Sequence, residues 1–181
     1  KKLVKAASKV YKKFLASCPA PDAPGSKQVT ALMTITGLID APKADKEFLS
    51  INGAQGFSTF YGYYMLEAMA MAGNYQGALD VIREYWGAMI DLGATSFWED
   101  FDINWIPNAA PIDELVPEGK KDIHGDCGAY CYVGFRHSLC HGWASGPTSW
   151  LSRHILGVEV IEPGCRQVRI TPHLGDLQWV K

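Results

Sequence analysis

The stretch that decides the fold class is Thr59-Phe60-Tyr61-Gly62-Tyr63-Tyr64-Met65-Leu66-Glu67-Ala68-Met69-Ala70-Met71-Ala72, then Gly73-Asn74, then Tyr75-Gln76-Gly77-Ala78-Leu79-Asp80-Val81-Ile82-Arg83-Glu84-Tyr85-Trp86. In its first half, apolar side chains fall on every side of a helix and Glu67 is the only charge. A helix that is apolar all round is buried. In its second half, Tyr75, Ala78, Leu79, Ile82, Tyr85 and Trp86 form one stripe, with Asp80, Arg83 and Glu84 opposite. A buried helix joined through a tight turn to an amphipathic one is the pattern of a two-layer helical array, an inner ring and an outer one. Glu67 in such a helix needs a partner, which makes it a structural anchor rather than a catalyst.

Towards the N-terminus the helical pattern continues. Gln28 to Leu38 spaces Val29, Leu32, Met33, Ile35 and Leu38 as a mostly apolar helix. Pro42 to Leu49 predicts a short helix with Pro42 in its first turn, where the missing N–H has no helical partner. Ser50 to Gly56 is a polar loop. Lys2 to Cys18 carries Leu3, Val4, Ala7, Val10, Tyr11, Phe14 and Leu15 at helical spacing, with lysines between them. This reads as a packed helix with a solvated basic face. The alternative is a basic amphipathic helix that meets a membrane or an acidic partner.

Towards the C-terminus the regularity fades. Asp100 to His137 holds Pro107, Pro111 and Pro117 and reads as a lid or binding loop. Ser138 to Leu156 is again helical, restarted or kinked at Gly146-Pro147. Beyond Gly157 the period changes, and Arg166 to Ile170 and Leu177 to Val180 read as strands around a turn from Pro172 to Asp176. No 34-residue period supports a repeat scaffold.

Composition narrows the function. In 181 residues, 48% are apolar and 20% charged, a globular balance that excludes disorder as the main state. No apolar run reaches the length of a membrane span. A net charge of -2 gives no footprint for nucleic acid. Six of the 17 basic residues fall within the first 13 positions, so the remainder sets 11 bases against 19 acids. An acidic, aromatic-rich body suits a polyol or sugar better than a phosphate. Cys18, Cys127, Cys131, Cys140 and Cys165 are odd in number and unevenly spread, which disfavours a full disulfide framework. His124, Cys127, Cys131, Cys140 and His141 include one pair at zinc-compatible spacing but no second, so no metal and no cofactor is expected.

The densest chemical cluster is Gly93 to Asp102, where Glu99, Asp100 and Asp102 are interleaved with Phe97, Trp98, Phe101 and, just beyond, Trp105. Aromatic rings stack on the apolar faces of sugars, and glycosidases use a pair of carboxyl groups as acid and base. The competing reading is an acidic loop with its aromatics folded beneath it. The second cluster is Ser138-Leu139-Cys140-His141-Gly142-Trp143-Ala144-Ser145-Gly146-Pro147. His141 could orient a hydroxyl or a carboxylate. Gly142 to Gly146 lacks the central serine of a nucleophile elbow, which disfavours a serine hydrolase. Phe57, Phe60, Tyr61, Tyr63 and Tyr64 divide between core and the mouth of a sugar pocket.

Three motifs in order carry a family resemblance. Gly93-Ala94-Thr95-Ser96-Phe97-Trp98-Glu99 resembles the Gly-Ala-Thr-Thr-x-Trp-Glu signature of bacterial α-L-rhamnosidases, with Ser96 in place of the second threonine. Ser138 to Trp143, followed by Gly146-Pro147, resembles that family's downstream histidine motif. Gly157 onward, with Pro163-Gly164 and Ile170 to Leu177, resembles its entry into a C-terminal β-sandwich. The resemblance covers about Gly56 to the end.

The resemblance implies a mainly α chain. It supplies about half the helices of an (α/α)6 toroid over residues 1–156, then the start of a β-sandwich over residues 157–181. It implies inverting release of terminal α-L-rhamnose from glycans or glycosides. Glu99 would be the general base, His141 a sugar contact, and Trp98, Trp105, Trp143, Tyr61 and Tyr64 the substrate-binding rings. The family's general acid belongs to an Asp/Arg/Glu-rich motif that these residues lack, so the chain is expected to be a fragment, inactive alone and prone to self-association through cut edges. A periplasmic or secreted whole enzyme is implied. Two other classes compete: an unsaturated glycuronyl hydrolase, which would need a basic pocket from Arg136 or Arg153, and a non-catalytic helical interaction domain.

Overall fold

The computed structural model describes residues 2–17, 25–123, 125–127 and 137–181. The described residues are mainly helical, with a small amount of strand. Cys18, His124, Cys131 and Arg136, named above as candidates, lie outside them.

Helix α1 spans Lys2–Ser17 and α2 Lys27–Ile35. Helix α3, Ala41–Ala44, runs on into a π-helical turn at Asp45–Leu49. Helix α4 is Gly62–Met71 and α5 is Tyr75–Asp91. The starts of α2, α3 and α5 are fixed by side-chain caps. Ser26 accepts from the Val29 N–H, Asp40 from Lys43, and Asn74 from Gly77. The Asn74 side-chain amide also donates to Asp45 Oδ2 at 2.8 Å and Ser50 Oγ at 3.0 Å, which ties the α4–α5 turn to the end of α3.

The apolar helix α4 lies at the centre, packed most extensively on α2. Met65, Leu66, Ala68 and Met69 are buried. On α5, Ala78, Leu79, Tyr85 and Trp86 of the expected stripe are buried, Tyr75 and Ile82 are partly buried, and Val81 and Met89 are buried in addition. Glu67 finds the partner it needs: its Oε1 lies 2.9 Å from His154 Nε2, and its Oε2 3.4 Å from Arg153 Nη1.

Helix α1 departs from expectation. Four of its apolar side chains are not packed: Leu3 is 86% exposed, and Val4, Val10 and Phe14 are exposed too. The Tyr11 hydroxyl donates to the Thr36 carbonyl just past the end of α2. No helix among the described residues is long and apolar enough to cross a membrane.

Two further expectations are corrected. Ser138 to Leu156 is not helical from its start. A 3-10 turn begins only at Gly142–Ser145, followed by α6, Gly146–Trp150, and a π-helical turn at Leu151–Ile155. The chain before Gly142 is extended because its backbone bonds to residues 97–99 instead. Nor is Leu177 to Val180 a strand. The β-region is an antiparallel pair, β3 (Val158–Val160) with β4 (Val168–Ile170), beside the two-residue parallel pairing of β1 (Ala109–Ala110) with β2 (Lys121–Asp122).

The segment after β4 instead lies along α5, where its side chains find specific partners. His173 stacks on Tyr75 at 3.8 Å with 6° between the rings, and Asp176 takes both Arg83 Nη atoms, at 2.8 and 3.0 Å. The Arg83 guanidinium holds the Asp176 carboxyl below its usual range. Gly157 permits the chain reversal into this hairpin. Its φ is +70°, and a Cβ there would sit 1.9 Å from the Thr171 carbonyl oxygen.

Candidate active site

The site is built where the two motifs meet. Helix α5 ends with Gly93 at φ +90°, the Gly93 N–H donating to Ile90 O and the Ala94 N–H to Met89 O. This paired bonding is how a glycine just past a helix closes its last carbonyls and turns the chain out. The extended chain that follows runs antiparallel to residues 138–141. The Glu99 N–H donates to Ser138 O at 2.8 Å and the His141 N–H to Phe97 O at 2.7 Å. The Ser96 hydroxyl donates to Leu139 O at 2.5 Å.

This register decides where each side chain goes. Successive residues of an extended chain face opposite sides. Trp98 turns inward and is fully buried, packed edge-on against Phe101 at 5.9 Å. Glu99 turns the other way, with its side chain 13% exposed. Its Oε2 accepts the Ser138 N–H at 2.8 Å and lies 3.9 Å from His141 Nδ1. The Glu99 carbonyl oxygen accepts the Thr59 hydroxyl at 2.6 Å and the Trp143 indole N–H at 3.0 Å. The His141 and Trp143 rings lie 4.3 Å apart, and Trp143 is 46% exposed.

The expected residues therefore separate. Glu99, His141 and Trp143 come together. Trp98 does not join them, because alternation along the extended chain sends it into the core, where no ligand reaches its ring. Trp105 packs on Phe101 at 6.0 Å and His137 at 6.2 Å, on the core side of the same loop.

Next to Trp143 is an open cavity of about 440 Å3 between α4 and α6. Phe60, Tyr63, Tyr64 and Trp143 contribute rings to it. Tyr61 stands beside it, 36% exposed, in ring contact with Phe60 and Tyr64. Phe57 belongs to the core. Burial and the nearby Glu67 push the Tyr63 phenol up. The helices approach closely here because residue 146 is glycine: a Cβ on Gly146 would lie 2.7 Å from Tyr63 Cβ.

The α6 hydroxyls of this cavity went unread in the sequence, since serine and threonine in a helix carry no periodic signal of their own. Among the described residues no three His, Cys, Asp or Glu side chains are grouped to hold a metal. Chemically, the arrangement offers a carboxylate held by a backbone N–H, an imidazole and an indole beside it, and a cavity without charged lining that the same indole borders. No family model and no curated protein matches this chain.

Proposed function

We propose that this chain is part of a glycoside hydrolase of the α-L-rhamnosidase kind, which releases terminal α-L-rhamnose with inversion. In this reading residues 1–156 supply about half of an (α/α)6 toroid and residues 157–181 begin a β-sandwich. Glu99 is the general base that activates water, and His141, Trp143 and Tyr64 meet the sugar, with Tyr61 at the rim. The observation that carries it is the antiparallel pairing of residues 97–99 with 138–141. That pairing joins two motifs distant in sequence and sets the Glu99 carboxylate 3.9 Å from His141 Nδ1. Inversion needs an acid about 6.5–9.5 Å from the base, with room for water. The resemblance assigns that acid to a motif absent from these residues.

The neighbouring cavity favours a neutral sugar over a uronate. Among the described residues no charged side chain lines it, and Arg153 is engaged by Glu67. Calorimetric titration with L-rhamnose and with D-glucuronate tests the reading. Saturable L-rhamnose binding that weakens in His141→Ala supports it. Preference for the uronate supports a glycuronyl hydrolase instead, and binding of neither sugar removes the enzyme reading.

A further inference from the structure

Helix α1 presents a divided surface that the other described residues leave uncovered. Leu3, Ala7, Val10 and Phe14 recur at helical spacing along one side, and Lys5, Lys9, Lys12 and Lys13 occupy the other. All of these side chains are exposed. No acid falls within Lys2–Ser17. Two α1 helices set face to face would bring like charges together at the rim of a shared apolar seam, which opposes their pairing. The surface that completes α1 must therefore be both apolar and acidic.

Such a surface exists on the same chain, at residues 113–118. There Asp113, Glu114 and Glu118 flank Leu115 and Val116, and all five are exposed, Leu115 to 96%. The segment is anchored at both ends. The Ile112 N–H donates to Leu92 O at 2.9 Å, just past α5, and Ile112 packs on the core. The Lys120 N–H donates to Pro117 O at 3.1 Å and closes the far end.

Both surfaces are exposed in one molecule, so they do not cover each other there. Beyond the first 13 residues, 11 bases are set against 19 acids, which attracts α1 of another copy. An anionic lipid surface would match α1 alone; it would repel this acidic body and leave Leu115 in water. We propose that α1 of one copy docks on the 113–118 loop of a second copy of this chain. Its apolar side meets Leu115 and Val116, and its lysines meet Asp113, Glu114 and Glu118.

Sedimentation velocity on the full chain tests this with two charge reversals at exposed positions: Lys9→Glu with Lys12→Glu in α1, and Glu114→Lys with Glu118→Lys in the loop. The native chain should sediment above the 19.9 kDa of one copy and return towards it as salt screens the contact. Each reversal alone should weaken association about tenfold or more. An equimolar mixture of the two reversed chains should regain it, because each then offers the other a matching helix and loop. Far-UV circular dichroism checks that the variants fold, and Lys5→Glu with Lys9→Glu replaces the α1 pair if the spectrum changes. A mixture that stays monomeric overturns the pairing. So does a loop reversal that leaves association unchanged, which would place the partner of α1 elsewhere. A monomeric native chain overturns it as well, and its co-sedimentation with phosphatidylglycerol vesicles, lost in the α1 reversal, would give the helix to an anionic lipid surface instead.

Discussion

The indole N–H of Trp143 and the backbone carbonyl of Glu99 are hydrogen-bonded at 3.0 Å, and the Thr59 hydroxyl reaches the same oxygen at 2.6 Å. Three distant segments of chain converge on one backbone atom beside the carboxylate. The position of the Glu99 side chain is thus set by its backbone, while the carboxylate itself accepts the Ser138 N–H at 2.8 Å and lies 3.9 Å from His141 Nδ1. Thr59→Val removes one of the two donors at a nearly buried position. It should destabilise the fold by about 0.5–1.5 kcal/mol. Trp143→Phe keeps a ring and loses the N–H, and should cost a similar amount. Urea unfolding of each variant measures both, and an unchanged midpoint in both would show that the clamp contributes nothing.

Close approach of α4 and α6 depends on Gly146. The group that an added methyl meets is Tyr63 Cβ, at the root of a side chain rather than its movable end. Gly146→Ala should therefore destabilise by about 1–3 kcal/mol through overpacking. Thermal unfolding checks it, and a neutral result would mean that the helices can separate at no cost.

Lys27 gives the fold a pH dependence of known sign. Its ammonium donates to Gly53 O at 2.5 Å and sits 5.2 Å from the centre of the Phe57 ring. Burial lowers its pKa from 10.5 to about 8, with Glu84 acting in the opposite direction. Between those two values the unfolded chain binds more protons than the folded one, so the Lys27 contribution to stability rises with pH across that window. Comparing unfolding free energies of the native chain and Lys27→Met from pH 8 to 10.5 isolates this group. The native chain should gain relative to the variant as pH rises, and a relative loss contradicts the assignment.

Self-association is expected from the exposed apolar surface. Leu3, Val4, Val10 and Phe14 on α1 and Val160, Val168 and Ile170 on the β3–β4 pair are exposed together with Trp179. Burying a side chain of this size is worth about 1.5–3 kcal/mol, and the two-stranded sheet has open edges. Light scattering at micromolar concentration should give a dimer or larger species. A clean monomer of 19.9 kDa would show that these surfaces are tolerated in water.

The buried helix α4 and the partly buried α5 were legible because the two differ in a way that burial explains, one apolar all round and the other striped. The pairing of Glu99 with His141 was legible as two motifs, though not as geometry. Trp98 was misread because a motif gives neighbours in sequence, whereas the extended backbone places neighbours on opposite faces. Leu177 to Val180 was misread because its alternation fits a strand equally well, whereas the stack of His173 on Tyr75, the Arg83–Asp176 pair and the Asp176 N–H bond to Gln76 dock the segment on α5. The exposed face of α1 has the same periodicity as a packed one, so periodicity could not separate the two.

The most direct test of the account is the indole N–H resonance of Trp143, assigned by its loss in Trp143→Phe and followed during titration with L-rhamnose. Its proton is bonded to the carbonyl of the proposed base, and its ring lies against His141. The account predicts a saturable shift at Trp143 with an affinity in the millimolar range or better, none with D-glucuronate, and no change at the buried Trp98 and Trp150. A Trp143 resonance that stays still with L-rhamnose, or moves equally with both sugars, would contradict a rhamnose site built on Glu99 and His141.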